Sequence, residues 1–176
     1  MKYFKKLVGS KCYLSPISMD DAEQYTEWMN DMEVTDYLSI LPQNISLYLE
    51  NELLPNLIKS HNYAIIDLNT ETLLGNFGLM KIDQIHRTAE LGIFIGNKDY
   101  WSKGYGEDAI LLMLKYAFNC LNIRNVMLQV FSFNERAVKC YKKVGFKDIG
   151  RRRNALVRNM QEHDVIYMDI LNDELK

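Results

Sequence analysis

The feature that most constrains the fold is a change of hydrophobic period in the middle of the chain. Residues 63–68, 73–82 and 89–96 each have the pattern of a β-strand, and only short turns separate them. Strands joined by short turns run antiparallel, because a parallel connection needs a crossover of about a dozen residues or more. This part of the chain therefore predicts an antiparallel meander.

The flanking segments add helices and further strands. A capping box formed by Ser18 and Asp21 begins an amphipathic helix. Its apolar face consists of the residues that recur at helical spacing, Ala22, Tyr25, Trp28, Met29 and Met32. A second helix contains Pro55 as a kink or a break. The remaining pattern predicts helices at 105–121 and 134–144 and strands at 12–14, 126–130, 146–152 and 163–171. The order β-α-α-β-β-β-α-β-α-β-β indicates an α+β fold. It has a mixed, mostly antiparallel central sheet of about seven strands, flanked by about four helices.

Composition excludes several classes of protein. With 176 residues and 48% hydrophobic side chains, residues 1–176 are expected to form one domain. No apolar run approaches the roughly 18 residues of a membrane span, and the start lacks a secretory pattern, so we expect a cytoplasmic protein with no membrane partner. The net charge of -2 argues against a nucleic-acid partner. The separated cysteines Cys12, Cys120 and Cys140 predict buried, reduced thiols and no metal site.

Charge is distributed unevenly along the chain. Residues 1–100 carry 8 Lys/Arg and 14 Asp/Glu, whereas residues 101–176 carry 13 and 9. This asymmetry suits an enzyme that holds an anionic ligand and accepts a cationic one. The acidic first helix either receives a cationic acceptor or is simply a solvated face, and both readings stay open. Its acidic residues are Asp20, Asp21, Glu23, Glu27 and Asp31, followed by Glu33 and Asp36.

Two segments carry candidate chemistry. Gly104 and Gly106 lie between a strand and a helix, where free N–H groups and the helix dipole favour an anion such as phosphate; an ordinary loop is the alternative. The spacing matches neither a P-loop nor a Rossmann fingerprint. Asn134 begins a helix as an N-cap, Tyr141 lies seven residues on along the same face, and Gly145 is a left-handed stop. Core packing is the alternative for Tyr141.

Together these segments resemble the GNAT superfamily of N-acetyltransferases. The strand 90–96, the loop 101–106 and the pattern Asn-x-x-Ala-x-x-x-Tyr-x-x-x-Gly-Phe from Asn134 to Phe146 match that family, from Cys12 to about Leu171. The segments 85–90 and 164–168 are most similar to the branch of ribosomal-protein alanine and spermidine acetyltransferases. The chain departs from the family at Trp101, where the phosphate loop has Gln or Arg.

The resemblance implies an acetyl-CoA-dependent N-acetyltransferase with no metal. Its cofactor-binding groups would be Ile93, Phe94 and Ile95 for the pantetheine, Ser102, Lys103, Gly104, Tyr105 and Gly106 for the pyrophosphate, and Asn134 as a positioning residue. Arg136, Lys139 and Lys143 form a basic stripe that lies near the CoA phosphates or is a solvated face.

The resemblance also implies the catalytic groups. Tyr141 would protonate the departing thiolate, and Glu90 would deprotonate the acceptor through water unless it only pairs with Arg87 or another cation. The acceptor would be a primary amine of a small, polyamine-like molecule. The alternatives are a protein N-terminus and a non-enzymatic acyl-CoA-binding module. The branch often forms dimers, so a homodimer is an expected assembly.

Overall fold

The structure, a computed structural model, describes residues 2–38 and 44–175. The chain divides into two compact units, Met1–Leu79 with Ile93–Leu112 and Met80–Gly92 with Met113–Lys176. The α-helices are α1 (Ala22–Asn30), α2 (Met32–Thr35), α3 (Leu47–Ile58), α4 (Tyr105–Asn119) and α5 (Glu135–Val144). The strands are β1 (Leu7–Val8), β2 (Cys12–Pro16), β3 (Asn62–Asp67), β4 (Leu73–Asp83), β5 (Thr88–Ile95), β6 (Asn125–Phe131), β7 (Lys147–Arg158) and β8 (Gln161–Leu171).

The strands follow the order β1-β2-β3-β4-β5-β6-β8-β7 in one sheet. β5 and β6 pair in parallel, whereas β1–β2, β2–β3, β3–β4, β6–β8 and β7–β8 are antiparallel. The predicted α+β class and mostly antiparallel sheet are confirmed. The described residues contain eight strands and five α-helices rather than seven and four, because β1 and α2 are too short to show a period.

The first unit has its core under α1. Ala22, Tyr25 and Trp28 are buried against β-strand residues, as their helical spacing predicted. The helix ends at Asn30, because Asp31 is extended and its side chain accepts the Glu33 N–H to begin α2. Met32 therefore belongs to α2 and is 64% exposed, so its assignment to the buried face of the first helix was wrong.

The predicted capping box is only half formed. The Ser18 side chain accepts the Asp20 N–H and caps a 3-10 turn, Met19–Asp21, that precedes α1. Asp21 makes no cap bond; its carboxylate is buried, accepts the Tyr3 hydroxyl at 2.8 Å and pairs with Lys2 at 2.6 Å. Pro55 lies inside α3, which is a single helix rather than two.

The second unit ends in a long hairpin of β7 and β8. Asn159 and Met160, which connect the strands, both have positive φ, +50° and +59°, as a two-residue type I′ turn requires. The segment 153–162, predicted to lie outside the strands, is therefore mostly strand. The pattern missed it because β7 is exposed along most of its length and shows no alternation of buried and exposed side chains.

Candidate active site

The carboxyl-terminal part of β5 directs its backbone groups to two different edges. The Gly96 N–H donates to a β4 carbonyl at 2.8 Å, and the Phe94 carbonyl oxygen lies 2.0 Å from where a Cβ on Gly75 would stand. Backbone groups alternate along a strand, so those of Ile93 and Ile95 point away from β4. For Phe94 the backbone is thus directed at β4 rather than at a ligand.

The parallel ladder of β5 is short. β5 pairs with β6 only from Thr88 to Glu90, opposite Asn125 to Met127. Leu91 and Gly92, which follow in the same unit, lie outside this ladder. A strand edge without a partner strand presents backbone donors and acceptors that an extended ligand can bind.

Trp101 anchors the loop that follows β5. Its indole Nε1 donates to the Ile95 carbonyl at 2.7 Å, and its ring contacts Tyr37 edge to face at 6.1 Å. The Trp101 side chain therefore has a structural role, because it fastens the loop to the end of β5. The Ile95 carbonyl is already occupied by this bond. This hydrogen bond joins a side chain to a backbone carbonyl six residues earlier. Hydrophobic periodicity does not predict such a contact.

The loop from Ser102 to Gly106 has the geometry expected of an anion site. Ser102 and Gly104 both have positive φ, +59° and +86°, and α4 begins immediately afterwards at Tyr105. Apart from its chain neighbours and the backbone of α4, no described atom lies within 4 Å of the position that a Cβ on Gly106 would occupy. The absence of a side chain there is therefore not required by protein packing. It leaves space for a ligand to approach the first N–H groups of the helix. Lys103 is exposed on the same loop.

The side chains at the start of α4 point into the protein. The Tyr105 hydroxyl donates to Asp67 at 2.6 Å, which raises the pKa of Tyr105 to about 12. This leaves its backbone, rather than its hydroxyl, for the predicted ligand contact.

Asp108 binds the turn between β1 and β2. Its carboxylate accepts the N–H groups of Ser10 (3.1 Å), Lys11 (2.9 Å) and Cys12 (3.0 Å) and the Ser10 hydroxyl (2.8 Å). Burial raises the pKa of this carboxyl, but the hydrogen bonds from Lys11, Cys12 and Ser10 lower it, and the net shift is downward. Asp108 is therefore engaged by protein donors and does not oppose a phosphate. This role could not be predicted from the sequence, because the turn lies about 100 residues away along the chain.

Glu90 forms an ion pair within the second unit. Its carboxylate accepts Lys81 Nζ at 2.8 Å, and its side chain is 19% exposed. Pairing with a cation was the alternative to a role as base, and the cation is Lys81 rather than Arg87; the role of Glu90 as base stays a prediction. Arg87 instead donates to the carbonyl and side-chain oxygens of Asn122 at 2.9 and 2.8 Å.

Helix α5 positions Asn134 and Tyr141. The Asn134 side chain accepts the Ala137 N–H at 3.2 Å, and Gly145 ends the helix with φ +119°, so both predicted caps are confirmed. Tyr141 is buried and its ring meets Phe146 at 5.8 Å. Burial raises the pKa of Tyr141 well above its usual range. Its hydroxyl makes no hydrogen bond to a described residue, and the group stays protonated, as a proton donor must be.

The basic stripe of α5 is exposed. Arg136, Lys139 and Lys143 all lie at the surface, and Lys139 pairs with Glu135 at 3.2 Å.

Of the cysteines, Cys12 is buried, Cys140 half-buried and Cys120 exposed, and all three are free thiols. The expectation of burial was therefore wrong for Cys120.

The acidic residues of the amino-terminal segment differ in their surroundings. Asp31 and Glu33 both pair with Lys98, at 2.8 and 2.5 Å, and the hydrogen bond from Lys98 lowers the pKa of Asp31. Glu23 and Glu27 are exposed.

Within residues 2–38 and 44–175 no three His, Cys, Asp or Glu side chains could share a metal ion. No described helix is long and apolar enough to span a membrane.

Comparison with known proteins identifies the family. Residues 11–147 match the model of the acetyltransferase (GNAT) domain. A protein of Bacillus subtilis provisionally named a ribosomal N-acetyltransferase is 31% identical over 103 residues, 58% of this chain and 56% of that protein. The spermidine N(1)-acetyltransferase of Vibrio cholerae is 31% identical over 110 residues, 62% of this chain and 63% of that one.

Solved structures agree with this assignment. The crystal structure of Vibrio cholerae spermidine N-acetyltransferase with CoA and spermine superimposes with a TM-score of 0.84 at 26% identity, covering 93% of this chain and 96% of that one. Acetyl-CoA is the acetyl donor of such enzymes. The chain described here therefore belongs to the GNAT family of acetyl-CoA-dependent N-acetyltransferases.

Proposed function

We propose that this enzyme acetylates a primary amine of a small di- or polyamine. The observation that carries the proposal is the likeness, over 93% of this chain, to an acetyltransferase whose structure contains CoA and spermine. The acidic balance of residues 1–100 supports a cationic acceptor. In this proposal residues 1–176 act as one acetyltransferase domain in the cytoplasm, in a homodimer.

The proposed acetyl-CoA contacts follow from the backbone geometry. The pantetheine would bind to backbone groups of Ile93 and to the N–H of Ile95, because the Ile95 carbonyl is held by Trp101. The pyrophosphate would bind the N–H groups of Ser102, Lys103, Gly104, Tyr105 and Gly106, beside the open position at Gly106. Asn134 acts as a positioning residue through the start of α5, which it caps.

The chemistry is direct transfer. An alkylamine with a pKa near 10.4 is mostly protonated at pH 7, and forming the free amine costs about 4–5 kcal/mol. The free amine attacks the acetyl carbonyl, a C–N bond forms and the C–S bond breaks. Tyr141 gives its proton to the leaving thiolate, and Glu90 takes the proton of the acceptor nitrogen through water. The ion pair with Lys81 holds the Glu90 carboxylate in place for that step.

A second candidate function is acetylation of a protein N-terminus. The relative from Bacillus subtilis that is provisionally named a ribosomal N-acetyltransferase favours it. The two functions use acetyl-CoA in the same way and differ only in the acceptor. Only a comparison of acceptor substrates can therefore distinguish them.

The test is a comparison of acceptors with purified enzyme and acetyl-CoA. We expect kcat/KM for spermidine to exceed that for short peptides with N-terminal alanine or serine by at least about tenfold, one step of 1.4 kcal/mol in transition-state binding. Reactions without enzyme give the background rate. A preference for the peptides would refute the polyamine proposal in favour of the second candidate. Turnover of neither acceptor would refute both.

A further inference from the structure

Lys11, the last residue of the turn between β1 and β2, lies beside the loop that follows β5. A Cβ placed on Gly104 would stand 3.2 Å from Lys11 Cε and 4.0 Å from its Nζ. The side chain is exposed, and its Nζ also lies 5.7 Å from the centroid of the Tyr105 ring. The methylene stem of Lys11 therefore packs on the loop, and the ammonium stays in solvent at the start of α4.

Contacts of the backbone and of the ring fix this position. The Lys11 N–H donates to Asp108 at 2.9 Å, so the β1–β2 turn is fastened to the first turn of α4. The Tyr105 ring is held by the hydrogen bond from its hydroxyl to Asp67 at 2.6 Å and by Tyr100, edge to face at 5.0 Å. Lys11 thus extends from a backbone that is tied to the same helix whose N–H groups belong to the proposed pyrophosphate site.

The carboxylates of this region are bound to donors other than the Lys11 ammonium. Asp108 accepts the backbone N–H groups of the turn, and Asp67 accepts the Tyr105 hydroxyl together with the N–H and hydroxyl of Thr70. Within residues 2–38 and 44–175 no carboxylate forms an ion pair with Lys11 Nζ. The ammonium can therefore approach an anionic ligand without breaking an ion pair.

Charge at the loop favours a second cation. Among residues 101–108 only Lys103 has a positively charged side chain. A pyrophosphate ester carries a negative charge on each of its two phosphates, and the positive end of a helix dipole compensates only part of one charge. Lysine is a common phosphate ligand, and its flexible stem allows the ammonium to follow the anion.

We infer that Lys11 is a binding residue for acetyl-CoA, whose ammonium contacts the pyrophosphate from the side of Gly104. The inference rests on the proposed acetyl-CoA contacts of the loop and adds to them a group from a distant part of the chain. The hydrogen bonds that the turn donates to Asp108 keep Lys11 in this place.

The test is calorimetric titration of the purified enzyme with acetyl-CoA in the absence of an acceptor. Lys11→Gln removes the charge and should bind about three- to tenfold more weakly, the effect of losing one exposed charge-assisted contact to phosphate. Lys11→Arg keeps the charge and should restore most of the affinity. Because the Lys11 side chain is exposed, both variants should melt near the wild-type temperature.

Lys5→Gln is the matched control. The Lys5 ammonium also lies over a tyrosine ring, that of Tyr13, at 5.1 Å. Tyr13 follows Cys12, whose thiol contacts the Tyr105 carbonyl at 3.9 Å, so the Tyr13 ring lies on the other face of β2. The control removes the same charge away from the loop, and its affinity for acetyl-CoA should equal that of wild type.

A second ligand identifies the phosphate that Lys11 contacts. Dephospho-acetyl-CoA, which lacks the 3′-phosphate, should lose affinity for Lys11→Gln by the same factor as acetyl-CoA. A loss confined to acetyl-CoA would place Lys11 at the 3′-phosphate and overturn the pyrophosphate contact. Added salt should weaken acetyl-CoA binding more in wild type than in Lys11→Gln, because the variant has one charge fewer to be screened.

Failure of the inference differs from failure of the proposed loop contacts. Unchanged acetyl-CoA affinity in Lys11→Gln, with weaker binding in Gly106→Glu, would overturn the role of Lys11 and leave the loop as the pyrophosphate site. Unchanged affinity in both variants would refute the loop contacts themselves. Since no acceptor is present, neither result depends on which amine the enzyme acetylates.

Discussion

Replacing Asp108 by Asn tests whether this carboxylate holds the β1–β2 turn against α4. The carboxylate accepts three hydrogen bonds from backbone N–H groups, one from the Ser10 hydroxyl and a weak one from the Cys12 thiol. An asparagine keeps one acceptor oxygen and places an NH2 donor against two of the remaining donors. Two hydrogen bonds to a charged group are thereby lost, each worth about 1.5–3 kcal/mol. Because the site is half-exposed, we reduce the expected loss to about 2–4 kcal/mol.

The assay is thermal and urea denaturation followed by circular dichroism. For a chain of this size 1 kcal/mol corresponds to about 2–4 °C, so Asp108→Asn should melt about 4–16 °C below wild type. Glu23→Gln, an exposed acidic residue in the first turn of α1, is the control and should change the melting temperature little. A free energy of unfolding for Asp108→Asn within about 0.5 kcal/mol of wild type, the range of ordinary surface changes, would refute the reasoning.

The same contact predicts a pH dependence. The pKa of Asp108 is lowered in the folded protein, so its contribution to stability is fully present above the unfolded pKa, near 3.9. The contribution is lost as the pH falls from there through the folded pKa. The stability gap between wild type and Asp108→Asn should therefore be constant near neutral pH and shrink in acid. A gap that widens in acid would contradict this assignment.

Three further predictions concern the loop, the acid and the core. Gly106→Glu places bulk and negative charge in the open space before α4, and calorimetry should show at least about tenfold weaker acetyl-CoA binding with the fold intact; unchanged affinity would remove the loop from the site. Tyr141→Phe should lower kcat about 10²–10⁴-fold with little change in acetyl-CoA affinity, whereas wild-type turnover would leave Tyr141 a packing residue. Gly96→Ala would put a Cβ 2.1 Å from the Trp28 ring and should cost about 1–3 kcal/mol in urea unfolding. Gly150→Ala, whose Cβ would meet no described atom within 4 Å beyond its chain neighbours, is its control and should be near neutral.

Features fixed by neighbouring residues could be predicted from the sequence. The caps of α5 are an example: Asn134 accepts an N–H three residues on, and Gly145 has φ +119°. Both depend on the chemistry of one helix end. The meander was predictable for the same reason, because short turns leave one pairing direction.

Features that depend on distant residues could not be predicted. Glu90 has two cations nearby in the sequence, Lys81 and Arg87. In the structure its carboxylate pairs with Lys81, whereas Arg87 donates to the Asn122 carbonyl. Asp108 in the first turn of a helix has the pattern of a dipole partner, and only the tertiary structure brings the β1–β2 turn to it. Glu50 is one of two acids on α3, and only the structure shows that it is buried whereas Glu52 is exposed.

The position of β7 has a consequence for how copies of this chain can associate. β7 is the last strand of the sheet, so one of its edges pairs with β8 and the other offers backbone groups on which a further strand could add. Arg151, Arg152 and Arg153 follow one another in the exposed part of this strand, and Arg151 pairs with Asp164 at 3.2 Å. Two such edges brought together would set these positive charges against each other at close range. The arginines thus oppose pairing of two β7 edges, and salt, by screening their charge, weakens that opposition.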